Sequence, residues 1–184
     1  MNWRIFIIVF ILTFGISLPA MMTLGDVHLI GNHQGYQPEQ PLPFSHSLHA
    51  GQLALNCQYC HSAADESRHA SVPSLSTCMN CHNLAKGNTE FAKANIAKIA
   101  AAYEKGEPVR WQRVHNLPDF VHFNHSAHVT KGVDCQTCHG NVPEMGVMRQ
   151  NADLTMGWCV NCHRDQNTLG KGLAAPTDCD TCHH

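Results

Sequence analysis

Charged and aromatic side chains are both scarce in this chain, at 14% and 7% of 184 residues. Ordinary globular domains carry about 25% charged residues, and the material for a conventional core is thin as well. Neither sign of charge prevails, since 12 Lys and Arg stand against 14 Asp and Glu for a formal charge of −2. That balance suggests neither nucleic-acid binding nor an acidic tail. The chain lacks a Gly-rich phosphate loop, and no Ser/His/Asp grouping can be defended, so nucleotide-driven and serine-hydrolase chemistry find no support.

What the chain has instead is 10 Cys and 15 His. All ten cysteines fall in five pentapeptides: CQYCH at 57 to 61, CMNCH at 78 to 82, CQTCH at 135 to 139, CVNCH at 159 to 163 and CDTCH at 179 to 183. Zinc is one candidate, because 17, 20 and 16 residues separate Cys60 from Cys78, Cys138 from Cys159 and Cys162 from Cys179, all close to ribbon spacing. A four-thiolate site has no use for a fixed neighbouring His, however, and five pairs cannot be shared two to a site. At the His content of this chain, a His after every one of five pairs arises by chance about three times in a million. Disulfides also leave the histidines unexplained. Covalent haem c accounts for every position: Cys57, Cys60, Cys78, Cys81, Cys135, Cys138, Cys159, Cys162, Cys179 and Cys182 form thioethers, and His61, His82, His139, His163 and His183 become proximal ligands to five irons.

About 32 residues then serve each haem, too few to wrap each in its own globule. The expected fold is therefore mainly α and irregular, with short ligand-bearing helices and loops around a five-haem core. An internal repeat supplies further ligands: FSHSLH at 44 to 49 precedes the first pentapeptide, and FNHSAH at 123 to 128 precedes the third, each followed by a glycine, Gly51 or Gly132. Two His three residues apart sit on one helix face and can reach two different irons. His46, His49, His125 and His128 are thus assigned as distal ligands, with Phe44 and Phe123 as packing groups at a porphyrin edge. For the fifth distal position His115 ranks first, with Met145, Met148 or Met156 as alternatives and His28, His33, His69, His122 and His184 behind them. A Met ligand would raise the potential of its iron.

Residues 5 to 22, IFIIVFILTFGISLPAMM, form an 18-residue run without charge, preceded by Arg4. The run exceeds a usual signal-peptide core and favours an uncleaved, single-pass anchor over residues 1–22, with the haem domain in the periplasm. Gly15 and Ser17 before Leu18 are the small-residue pair that a cleaved signal peptide would use. Residues 23–43, with Gly25, Gly31, Gly35, Pro38, Pro41 and Pro43, read as an extended linker. A pentahaem domain follows over 44–184. Within it the segment 88–106 predicts a spacer helix capped by Asn88, ended by Gly106 and striped by Phe91, Ile96, Ile99 and Tyr103. It would separate a lobe at 44–87 with two haems from a lobe at 107–184 with three, with Pro108 near the hinge.

The repeated F-x-H-x-x-H element and its CxxCH sites resemble class III and related small multihaem cytochromes. More narrowly, PFSHSLHAGQLALNCQYCH, STCMNCH and the run RWQRVHNLPDFVHFNHSAHVTKGVDCQTCHGNVPEMGVMRQNADLTMGWCVNCHR resemble the pentahaem cytochrome c family of bacterial alternative complex III. That resemblance implies an electron-transfer component of a quinol:electron acceptor oxidoreductase, without a catalytic site of its own. Its implied partners are an iron–sulfur protein, a polytopic quinol-oxidising membrane protein, a monohaem cytochrome c and a terminal oxidase. A related haem subunit serves periplasmic quinone reductases, which run current the other way. The alternatives are a multihaem nitrite or sulfite reductase, which needs one iron with an open position, its tethered redox partner, or a tethered periplasmic shuttle.

Overall fold

The computed structural model describes residues 3–24, 33–169 and 174–183, and of residues 16–24 the backbone alone. The chain divides into two units, 1–33 and 34–184. The first contains helix α1 (Trp3–Leu24), which covers the expected anchor at 5–22. The side chains of residues 16–22 lie outside the described ones. Among the described residues, no helix is long and apolar enough to cross a membrane.

The second unit is built from short helices and loops, and no strand forms among its described residues. In chain order these are a π-helical turn (Ser47–Gln52), α2 (Cys57–Cys60), α3 (Leu75–His82), α4 (Glu90–Lys105), α5 (His125–Val129), α6 (Cys135–His139), a 3-10 turn (Val142–Glu144), α7 (Met156–Thr168) and α8 (Cys179–Cys182). Helices this short are marginal in isolation, and polar caps define their starts. Asn56 Oδ1 accepts from Gln58 N at 2.8 Å and Asp134 Oδ1 from Gln136 N at 2.7 Å, immediately before the first Cys of their segments. In the second and fourth segments the cap residues, Ser74 and Thr155, stand four positions before the Cys, which gives α3 and α7 an extra turn.

The spacer helix forms with two differences from its expected layout. Thr89, extended at φ −116° and ψ 155°, is the cap rather than Asn88, its Oγ1 accepting from Ala92 N at 3.1 Å. Gly106 ends the helix in the left-handed region at φ +68°, where a residue without Cβ is favoured. The expected apolar stripe is only half buried: Ile96 and Ile99 are partly covered, while Phe91 and Tyr103 are exposed. Helix α4 packs on α3, and Ala92 and Ile96 lie against Gly87 in the loop that joins the two helices.

Contacts cross the expected boundary between lobes. The π turn at 47–52 packs against the 3-10 turn at 142–144, and Ser47 N donates to Met145 O at 2.9 Å. Part of the expected linker is also built in: Gly35 N donates to Gln150 O, Gln150 N to Tyr36 O, and Gln37 Nε2 to Val147 O. Residues on both sides of α4 are therefore interleaved in one unit. Its buried apolar side chains include Leu42, Ala64, Met79, Met145 and Ala152, few and mostly small.

Candidate haem-binding site

The two copies of the FxHxxH element adopt the same ring geometry. Phe44 stacks on His49 at 4.4 Å and meets His46 edge-on at 4.9 Å; Phe123 stacks on His128 at 4.6 Å and meets His125 edge-on at 4.8 Å. In each copy the second His turns its Nδ1 back to the carbonyl four residues earlier, His49 to Ser45 O at 2.9 Å and His128 to Asn124 O at 2.8 Å. Each Phe thus fixes both rings of its element, in addition to the porphyrin-edge packing expected of it.

The same use of Nδ1 runs through the five pentapeptide histidines. His61 Nδ1 donates to Ser71 O at 2.7 Å, His82 to Ala85 O at 2.8 Å, His163 to Pro176 O and His183 to Phe120 O at 3.1 Å. His139 differs, its Nδ1 lying 3.1 Å from His115 Nε2. His125 Nδ1 donates to Arg68 O at 2.9 Å. A neutral imidazole that donates from Nδ1 leaves the lone pair of Nε2 free for a metal, the arrangement that orients metal-bound histidines. These acceptors are mostly backbone carbonyls, which any residue type can supply, so no sequence signal marks them.

Three rings of the repeat face three pentapeptide rings. Centroids are 6.2 Å apart for His49 and His82, 6.4 Å for His125 and His139 at an interplanar angle of 4°, and 6.0 Å for His128 and His163. Two imidazoles on opposite sides of one metal, each with a bond of about 2 Å, put their centroids about 6 Å apart. His46 lies close enough to His61 for the two to interact electrostatically; burial, then His61 and His49, lowers its pKa to about 4. Its Nδ1 is the one buried side-chain nitrogen or oxygen without a hydrogen-bond partner among the described residues with covered side chains. Burial, then His115 and His125, likewise lowers His139 to about 4. The neutral ring is the form that binds a metal, so residues and protonation fit iron held between paired imidazoles.

The cysteines show how the segments stand in space. None is in a disulfide. Burial pushes up the pKa of Cys60, with Cys81 of the second segment the next contribution. It does the same at Cys135, where Cys57 of the first segment follows; at Cys138, to about 11, where Cys162 of the fourth follows; and at Cys159, where Cys182 of the fifth follows. One hydrogen bond repeats part of this pattern, Asn80 Nδ2 to Tyr59 Oη at 3.1 Å, joining the second segment to the first, while the carbonyl of Arg68, in the loop after the first segment, meets His125 of the second FxHxxH element. The neighbours are thus second with first, first with third, third with fourth, and fourth with fifth.

The candidates for the fifth distal position separate. His115, ranked first, stands beside His139, its Nε2 3.1 Å from His139 Nδ1 and the two rings edge-on at 4.5 Å. Met145 is buried and its carbonyl meets the π turn, Met148 is partly buried, and Met156 is 67% exposed as the first residue of α7, three before Cys159. His28 and His184 lie outside the described residues.

Residues 28–107 match the class III cytochrome c family, and residues 121–184 match cytochrome c7 and related cytochrome c. The chain is 29% identical over 170 residues to the menaquinone reductase multihaem cytochrome c subunit of Nitratidesulfovibrio vulgaris, covering 80% of this chain and 78% of that protein. It is 30% identical over 125 residues to the cytochrome c-type protein NrfB of Escherichia coli, covering 61% of this chain and 66% of that one.

Proposed function

From its place among multihaem cytochromes c of the class III and c7 type, we infer that this chain is the electron-transfer subunit of a membrane-bound quinone-linked oxidoreductase, carrying five haem c groups. Haem c supplies one-electron chemistry at its iron. Each CxxC pair holds one group, and the following His is its proximal ligand. The reading assigns His46 opposite His61, His49 opposite His82, His125 opposite His139 and His128 opposite His163. What carries it is the set of three imidazole pairs at 6.0–6.4 Å, each joining the FxHxxH repeat to a pentapeptide. Four irons are closed in this way, which suits passing electrons on rather than binding nitrite or sulfite; the iron on His183 is the one to which the reading assigns no distal ligand.

In this reading electrons pass between neighbouring segments, from second to first, third, fourth and fifth or the reverse, and the partners exchange electrons at the second and the fifth. In the finer reading, electrons arrive from quinol oxidation through an iron–sulfur protein and leave to a monohaem cytochrome or terminal oxidase. The similarity to a menaquinone reductase cytochrome over most of both chains favours a second reading, with current running toward the quinone. Extraction in mild detergent and assay of the intact complex decides between them. Quinol-driven reduction of the haems and of a downstream cytochrome is expected of the first direction, and quinone reduction by a reduced periplasmic donor of the second. A protein that purifies alone and accepts electrons from neither would overturn both.

A further inference from the structure

The assignment of His139 as a proximal ligand leaves His115 without a role, although its position is tightly built. Arg113 Nε donates to the His115 carbonyl at 2.9 Å. On the other side, Asn116 N donates to Gln150 Oε1 at 3.0 Å, and Gln150, fully buried, donates from Nε2 to Ala152 O at 3.1 Å. The backbone around His115 is thus held from both sides by groups with no part in haem attachment. The ring meets that of His139 edge-on, with centroids 4.5 Å apart. Four of the pentapeptide histidines hydrogen-bond to backbone carbonyls, and His139 alone points its Nδ1 at a side chain.

We propose that His115 is a positioning residue for His139, accepting the Nδ1 hydrogen bond at its Nε2, fixing the ring and holding the third iron at a lower potential than it would have without that acceptor. The physical reason is that an acceptor on the far nitrogen of an imidazole ligand makes the ligand more basic. A more basic ligand stabilises the oxidised iron, which carries more positive charge, over the reduced one. Because the acceptor is a side chain, this is the one site of the five that a substitution can retune without moving the backbone. The proposal rests on the reading of His139 as an iron ligand.

The test uses the full-length holoprotein with His115→Leu, which removes the acceptor, and His115→Gln, which keeps an oxygen acceptor. Spin state with and without cyanide and potentiometric titration of each haem are the readouts. The expected result is that both variants keep the spin states of the parent protein, that one midpoint moves upward in His115→Leu, and that His115→Gln recovers most of that shift. A high-spin, cyanide-binding haem that the parent protein lacks, in either variant, makes His115 a ligand itself and overturns the proposal, as does a Leu variant whose midpoints are all unchanged. If the Leu variant does not fold, His115→Ala, which also removes the acceptor, takes its place: one midpoint moved upward with unchanged spin states upholds the proposal, and unmoved midpoints or a newly high-spin haem overturn it. Peptide mass spectrometry of the parent protein separates this from the underlying reading. A third segment without haem sinks the ligand assignment, whereas a loaded third segment with an unmoved midpoint sinks only the role of His115.

Discussion

At the scale of residues, the two histidines of each FxHxxH element face different partners, and substitution can test whether they serve different irons. His49 faces His82 and His128 faces His163. His49→Ala and His128→Ala are each expected to free one sixth position, converting one haem of five to a high-spin, cyanide-binding form while the others keep the spin states of the parent protein. Electron paramagnetic resonance with and without cyanide checks this, and two altered haems in either variant would contradict the one-to-one pairing. Each loss should also slow quinol-dependent reduction of the downstream acceptor if the path between neighbouring segments has no bypass.

At the scale of elements, the unit depends on close approach of short turns more than on buried apolar surface. Gly51 lies in a turn that packs on the 3-10 turn, and a Cβ there would fall on the Pro143 carbonyl at a separation that real Cβ atoms do not adopt. Gly51→Ala should therefore cost about 1–3 kcal/mol, the range for overpacking a filled contact. It should lower the thermal midpoint by about 2–4 °C for each kcal/mol. Gly146→Ala meets no atom within 4 Å and serves as the control, expected within about 0.5 kcal/mol of the parent. Equal midpoints for the two variants would show that the π turn and the 3-10 turn do not need their close contact. The disruption should reach His46 and His49, so loss of low-spin signal at the first and second haems belongs to the same outcome.

At the scale of the molecule, five attachment segments should carry five covalent haems. Mass spectrometry under denaturing conditions with chelator is expected to give the polypeptide plus five haems, and an apoprotein or zinc-protein mass would exclude the assignment. The same spectrum locates the amino terminus of the mature chain. A chain retaining residues 5–22 and requiring detergent fits a single-pass anchor, whereas one beginning near Leu18 or Met21 points to a processed signal peptide.

The sequence by itself determined where the proposed attachment chemistry lies, because CxxCH is local: the thiols and the imidazole that one haem would need lie within five positions and need no distant partner to be recognised. It also marked the paired FxHxxH elements, which occur twice with the same spacing and fold twice with the same ring contacts. The spacer helix was legible from its periodicity and its terminal glycine, with a one-residue difference at the cap. Only the tertiary structure decided which segments are neighbours, the interleaving across α4 and the place of His115. Those depend on contacts such as His125 with Arg68 and His115 with His139, 57 and 24 residues apart. Their acceptors are a backbone carbonyl that any residue carries and a ring nitrogen outside every repeat. Long-range hydrogen bonds of that kind leave no periodicity in the chain, so folding alone brings them into register.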